Sequence, residues 1–108
     1  VAYATKFVGK PYVWGGTDLN NGIDCSGFTM KIYEHFGYKL PHFSGAQALC
    51  GKSIPLGKIE IGDIVCYAGH VGIYVGNNKL LSAKCKKLGI TYCDVNYKPI
   101  LAIRRILK

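Results

Sequence analysis

Ile61-Gly62-Asp63-Ile64-Val65-Cys66-Tyr67-Ala68-Gly69-His70-Val71-Gly72-Ile73-Tyr74-Val75-Gly76 is the stretch whose reading decides the fold. Val, Ile and Tyr dominate it, and β-branched and aromatic side chains suit a pleated, half-buried surface. Glycines at 62, 69, 72 and 76 break the run, so it predicts two consecutive strands with a tight connection near Ala68-Gly69. Working outward, Asn77-Asn78 makes a turn, and Lys79–Ala83, Ile90–Val95 and Ile100–Leu107 read as further strands. Upstream the periodicity changes. From Asp24 the apolar residues Phe28, Ile32 and Phe36 fall four apart, with Lys31, Glu34 and Lys39 elsewhere on the wheel, and Gly37 stops the pattern. Val1–Val8 predicts a short opening helix on Val1, Ala4 and Val8, ended by Gly9 and Pro11, and Ala46–Leu49 predicts another short one. Helices first and an antiparallel sheet second give an α+β fold.

The chain has 108 residues, the length of one small domain, and 49% of them are apolar, enough for a single core. No run approaches the roughly 20 uninterrupted apolar residues of a membrane-spanning helix, so a soluble domain without membrane insertion is expected. The chain opens on Val1 without an initiator Met or a charged-then-apolar leader, which reads as excision from a longer protein. Fourteen basic against six acidic residues give a net charge of +8. That balance either is a generally basic surface or draws the domain to anionic partners. The basic residues are scattered, with small groups at Lys84, Lys86, Lys87 and at Arg104, Arg105, Lys108, and none makes an Arg-rich nucleic-acid motif. No nucleic-acid partner is expected. Of the five cysteines an odd one is left over, so a complete disulfide framework is excluded. No C-x-x-C pair exists, and no metal site is expected. Cys66 and Cys93, inside apolar runs, read as small core residues.

Asp24 is a natural N-cap, which places Cys25 in the first turn of the main helix. Unpaired N–H groups and the helix dipole favour a thiolate there, and the expectation is a lowered thiol pKa. The same N–H groups suit an oxyanion in acyl transfer. The bland alternative is a buried small residue. A nucleophilic thiol needs an imidazole, and the chain offers His35, His42 and His70. His35 lies ten residues along the same helix, about 15 Å of axial rise away, and is out of reach. His42 follows Pro41 in a loop whose course is open. His70 begins a glycine-bracketed strand that can present its ring to a helix terminus, and it is the best candidate.

Taken together, Pro11-Tyr12-Val13-Trp14-Gly15-Gly16, Asp24-Cys25-Ser26-Gly27-Phe28, Gly62-Asp63-Ile64-Val65 and His70-Val71-Gly72-Ile73-Tyr74-Val75-Gly76 resemble the NlpC-type cell-wall peptidases, papain-like enzymes of bacteria and their phages. Four motifs in order cover the whole of residues 1–108, down to Ala102-Ile103-Arg104-Arg105-Ile106-Leu107. The resemblance implies a papain-like fold, with a Cys-bearing helix packed on an antiparallel sheet that bears the His. It implies Cys25 as nucleophile and His70 as general base, acting on the bond between D-glutamate, through its γ-carboxyl, and the diamino acid of peptidoglycan stem peptides. Tyr12 matches the tyrosine beside the nucleophile, and Asp24 and Ser26 match residues that hold the substrate's amino end. Their plain alternatives are packing, helix capping and filling of the first turn.

One position departs. The third catalytic residue is usually His in this family, and counting along Asn78-Lys79-Leu80-Leu81-Ser82-Ala83 puts Ser82 there. Ser82 either supports the His70 ring, acts through water, or leaves a Cys-His dyad. His42 stands where related sequences often carry Arg. The resemblance implies no cofactor, a monomer acting on stem peptides, and a secreted, wall-associated location, with anionic wall polymers as a partner the charge allows. An inactive wall-binding module of the same fold and an N-acetylmuramoyl-L-alanine amidase stay open beside the endopeptidase.

Overall fold

The computed structural model describes residues 2–42, 47, 51–85 and 89–106, without the side chains of 2, 84 and 85. Elements run α1 (Ala2–Thr5), β1 (Thr17–Asp18), β2 (Gly22–Ile23), α2 (Cys25–His35), β3 (Lys52–Ser53), a 3-10 turn (Leu56–Lys58), β4 (Ile64–Tyr67), β5 (His70–Gly76), β6 (Lys79–Cys85), β7 (Gly89–Asp94) and β8 (Ala102–Arg105). The main helix and the five longer strands β4–β8 follow in the order expected from the sequence, whereas the two-residue strands β1, β2 and β3 were not expected, and β1 and β2 precede α2. The short helix expected at 46–49 lies, apart from Gln47, outside the described residues.

Asp24 starts α2. Its backbone is extended, and its carboxylate accepts the Gly27 N–H at 2.7 Å, satisfying one of the donors that a helix start leaves open. At the other end Tyr38 N–H donates to Tyr33 O and Gly37 N–H to Glu34 O, both at 3.0 Å. This is a Schellman closure, which needs the left-handed backbone that Gly37 adopts at φ +89°. Cys25, Phe28, Thr29, Ile32 and Tyr33 form the buried face. Phe36, expected to continue it, caps the C-terminus and is half exposed, its ring edge-on to Tyr3. The opening helix is also shorter than expected. Ala4 is fully buried, but Val8 lies beyond the helix end and is largely exposed.

Six antiparallel strands form one sheet in the order β3-β8-β4-β5-β6-β7. Tyr67 pairs with His70 across the two-residue turn Ala68-Gly69. Asn77 and Asn78, both at positive φ (53° and 60°), close the next hairpin between Gly76 and Lys79, as a type I′ turn requires. Both faces of the sheet are covered. Ile64, Cys66, Val71, Ile73, Leu81, Ala83 and Ile90 pack with Phe28, Ile32 and Tyr33 of α2. Val65, Tyr67, Leu80, Val95 and Ile103 form a second cluster with Ile54. Cys66 is a buried core residue and Cys93 packs against the second cluster.

Asp63, at the start of β4, is nearly fully buried and fastens that strand to β8. Arg105 grips it with two bonds, Nε to Oδ1 and Nη2 to Oδ2, both 2.9 Å, while the Glu60 N–H donates to Oδ2 at 2.9 Å. That bond to Asp63 is the main reason the Arg105 guanidinium holds its proton more tightly than usual. The Gly62-Asp63 motif is therefore structural. Among the described residues, no helix is long and apolar enough to cross a membrane.

Candidate active site

The loop Pro11–Gly16 wraps the segment that leads into α2. Val13 N–H donates to Ile23 O at 3.2 Å, Asp24 N–H to Gly16 O at 3.2 Å, and Tyr12 bridges Ile23. This approach needs glycine on the helix side: a Cβ on Gly27 would lie 2.6 Å from Gly16 O and 2.9 Å from Asp24 Oδ1. Tyr12 is half-buried and packs against the cluster that contains Cys25.

Cys25 is the first residue of α2 and is buried. Burial pushes its thiol up from the ordinary value, and the neighbouring Asp24 carboxylate pushes the same way. N–H groups of Val71, Ser26 and Cys25 itself oppose the shift without reversing it. The lowered pKa expected from the helix terminus alone is thus corrected: desolvation outweighs the helix donors at this buried position. Val71 is the informative donor, because it ties the thiol to the start of β5, one residue beyond His70.

His70 is buried, and its Nε2 lies 3.0 Å from Ser82 Oγ on β6. Ser82 is fully buried. Nε2 is the ring nitrogen that Ser82 engages, and Nδ1 lies on the other side of Cε1. Two tyrosines flank the imidazole. Tyr67 lies 6.1 Å away between centroids at 38°, and Tyr97 5.8 Å away at 85°. His35 is held elsewhere, stacked on Tyr3 at 3.7 Å and 8°, where it joins α1 to the end of α2.

Asp24 is more than a cap. Besides Gly27, its carboxylate accepts the Gly15 N–H at 3.0 Å and the Ser26 hydroxyl at 3.4 Å, and His42 Nε2 lies 2.9 Å from Oδ1. Gln47 holds the His42 loop to the helix, donating to Ser26 O at 2.8 Å and Pro41 O at 2.7 Å and bonding Thr29 Oγ1. Ser26 is buried and turned toward Asp24. The His70–Ser82 pair expected from the sequence is brought together, and Tyr12, Asp24 and Ser26 surround the helix start. Tyr97 and the His42–Asp24 contact were not foreseen. Neither lies at a spacing that periodicity detects.

A model of the "NlpC/P60 family" matches residues 9–103. The gamma-D-glutamyl-L-lysine dipeptidyl-peptidase of Bacillus subtilis is 38% identical over 92% of this chain, which spans 37% of that protein. The bifunctional muramidase/DL-endopeptidase of the same organism is 35% identical over 85% of the chain, which spans 30% of it. A crystal structure of an NlpC/P60 family protein from Bacillus cereus superposes with a TM-score of 0.90 at 26% identity, covering 99% of this chain and 39% of the other. The chain therefore spans between 30% and 39% of the length of these relatives.

Proposed function

Because this chain belongs to the NlpC/P60 family and has its papain-like fold, we propose that residues 1–108 are one catalytic domain of a longer wall-directed protein. Its reaction is hydrolysis of peptidoglycan stem peptides at the D-γ-glutamyl–diamino acid bond. The names of the two matched Bacillus subtilis proteins, a gamma-D-glutamyl-L-lysine dipeptidyl-peptidase and a bifunctional muramidase/DL-endopeptidase, support this reading. One observation carries the reading for this chain. A buried thiol at a helix start receives the Val71 N–H, while the adjacent His70 is held at Nε2 by a fully buried hydroxyl.

In this reading Cys25 gives its proton to His70 Nδ1 and Sγ attacks the γ-carbonyl carbon. N–H groups of the first turn of α2 face the charge that develops. The proton on Nδ1 passes to the leaving amine as the C–N bond breaks, leaving a thioester. Water, deprotonated by the same nitrogen, then releases the acid. Ser82 accepts the Nε2–H and steadies the imidazolium. Tyr12, Asp24 and Ser26 line the place for the substrate's amino end, and the +8 charge favours adsorption to an anionic wall in a secreted, wall-associated setting.

The test is digestion of defined muropeptides with product masses read by mass spectrometry. Stem peptides cut after D-glutamate by the native protein and left whole by Cys25→Ala are the expected result. Whole stems released from the glycan would mean an amidase, and unchanged muropeptides with an unreactive thiol would mean a binding module.

A further inference from the structure

Tyr97 follows β7 in the segment 95–101 that returns the chain to β8. This segment is tied to the same hairpin that carries His70. Tyr67 Oη donates to Val95 O at 2.6 Å, Lys98 Nζ to Ala68 O at 2.8 Å, and Leu101 N–H to Cys66 O at 2.8 Å. The Tyr97 ring stands nearly perpendicular to the imidazole, as given above, and packs edge-on against Tyr67 at 4.9 Å and 61°. Its phenol is pushed up to about 12 by burial first, then by the charges of Cys93 and Cys25. Tyr97 therefore lies within electrostatic reach of the thiol as well as against the histidine.

A hydrogen bond at Nε2 does not by itself restrain every motion of the imidazole. A ring fixed at Cβ and at one distal nitrogen still rocks about the line joining them, and Nδ1 lies off that line. We propose that Tyr97 is a positioning residue whose ring, held by the 95–101 segment, blocks this rocking and keeps Nδ1 on Cys25. Ser82 fixes the ring in its plane and Tyr97 fixes the plane itself. The inference rests on Cys25 and His70 being the reactive pair.

The experiment measures alkylation of Cys25 by iodoacetamide against pH, followed peptide by peptide by mass spectrometry, together with kcat and KM on a muropeptide. The variants are Tyr97→Phe, Tyr97→Leu (Tyr97→Met if the leucine protein does not fold) and His70→Ala. A perpendicular ring pair corresponds to about three- to tenfold in rate. Tyr97→Leu is expected to slow neutral-pH alkylation and kcat by that factor. Its KM should stay within about twofold, and its alkylation profile should move toward that of His70→Ala. Tyr97→Phe, which keeps the ring, should stay near the native values. A wild-type alkylation rate and profile in Tyr97→Leu would overturn the inference, as would a Tyr97→Phe protein as slow as Tyr97→Leu. If His70→Ala itself leaves the thiol's profile unchanged, the reactive pair falls, and Tyr97's role falls with it.

Discussion

Replacing Ser82 by Ala removes one oxygen from a fully buried position, 3.0 Å from His70 Nε2. The hole left is smaller than a water molecule needs, so solvent does not take over the bond. The kinetic cost is the difference between two states of the histidine. Neutral imidazole makes an ordinary hydrogen bond, about 0.5–1.5 kcal/mol net, whereas imidazolium makes a charge-assisted one of about 1.5–3 kcal/mol. In the proposed mechanism the acyl-transfer transition state has the charged ring, so Ser82→Ala should raise the barrier by the difference, about 1–1.5 kcal/mol. That is roughly a five- to twelvefold fall in kcat, with KM little changed. Steady-state kinetics on a defined muropeptide measures it, with circular dichroism to show that the variant is folded. Ser82→Thr keeps the hydroxyl on a β-branched residue suited to the strand, and it should retain most of the rate. A folded Ser82→Ala protein with native kcat would refute the reasoning and leave a Cys25–His70 dyad oriented by other groups.

Burial of the Cys25 thiol without the imidazole predicts that His70→Ala lacks thiolate at neutral pH. Its alkylation rate should climb only as pH passes the ordinary thiol range, and the native state should lose stability over that same rise, because the folded pKa lies above the unfolded one. His35→Ala should alkylate within about twofold of the native protein, because His35 packs on Tyr3 at the far end of α2. Arg105→Met takes the guanidinium away from the buried Asp63 carboxylate and should lower the urea midpoint of unfolding, and an unchanged midpoint would mean that the pair adds nothing to stability. Arg105→Met combined with Asp63→Ala should cost less than the sum of the two single changes, and strict additivity would argue against an orphaned charge. Gly27→Ala should be destabilising by the same assay, since its Cβ would meet the Gly16 carbonyl oxygen at 2.6 Å, and a neutral result would mean that the 11–16 loop can move away.

The sequence carried the parts of this fold that depend on local rules. Asp24 as a cap, Gly37 as a stop, the turns at Ala68-Gly69 and Asn77-Asn78 and the Val-, Ile- and Tyr-rich run through 64–76 are each decided by a few neighbouring residues. Cys25 and His70 stood out as candidates because they open α2 and β5, whereas Ser82, inside β6, was picked out only through the family resemblance. Phe36 was misplaced because helical spacing continues past the residue at which the Schellman closure turns the chain out to solvent. The short β3 and its pairing with β8 left no periodic signal in two residues. Tyr97 and the Arg105–Asp63 grip depend on partners 27 and 42 positions away, separations that only the completed sheet brings together. No local pattern encodes such contacts.

The serine at position 82 also changes how the histidine is set. A carboxylate at the third position only accepts, so it forces the proton onto Nε2 and leaves Nδ1 as the base. A hydroxyl both donates and accepts, so Ser82 alone does not choose the tautomer. The choice passes to the thiol. In the proposed mechanism, once Cys25 has given its proton to Nδ1, both ring nitrogens carry hydrogen and Ser82 must accept, so the hydroxyl favours the thiolate–imidazolium state over the neutral pair. Burial of the thiol works in the opposite direction. The fraction of active ion pair at neutral pH is therefore the balance of these two effects, and Ser82→Asp, which only accepts when ionised, should raise that fraction if its charge stays paired with the imidazolium. Faster neutral-pH alkylation of Cys25 in Ser82→Asp is the expected outcome, and a slower one in a folded protein would mean that desolvation of the new carboxylate exceeds what the imidazolium returns.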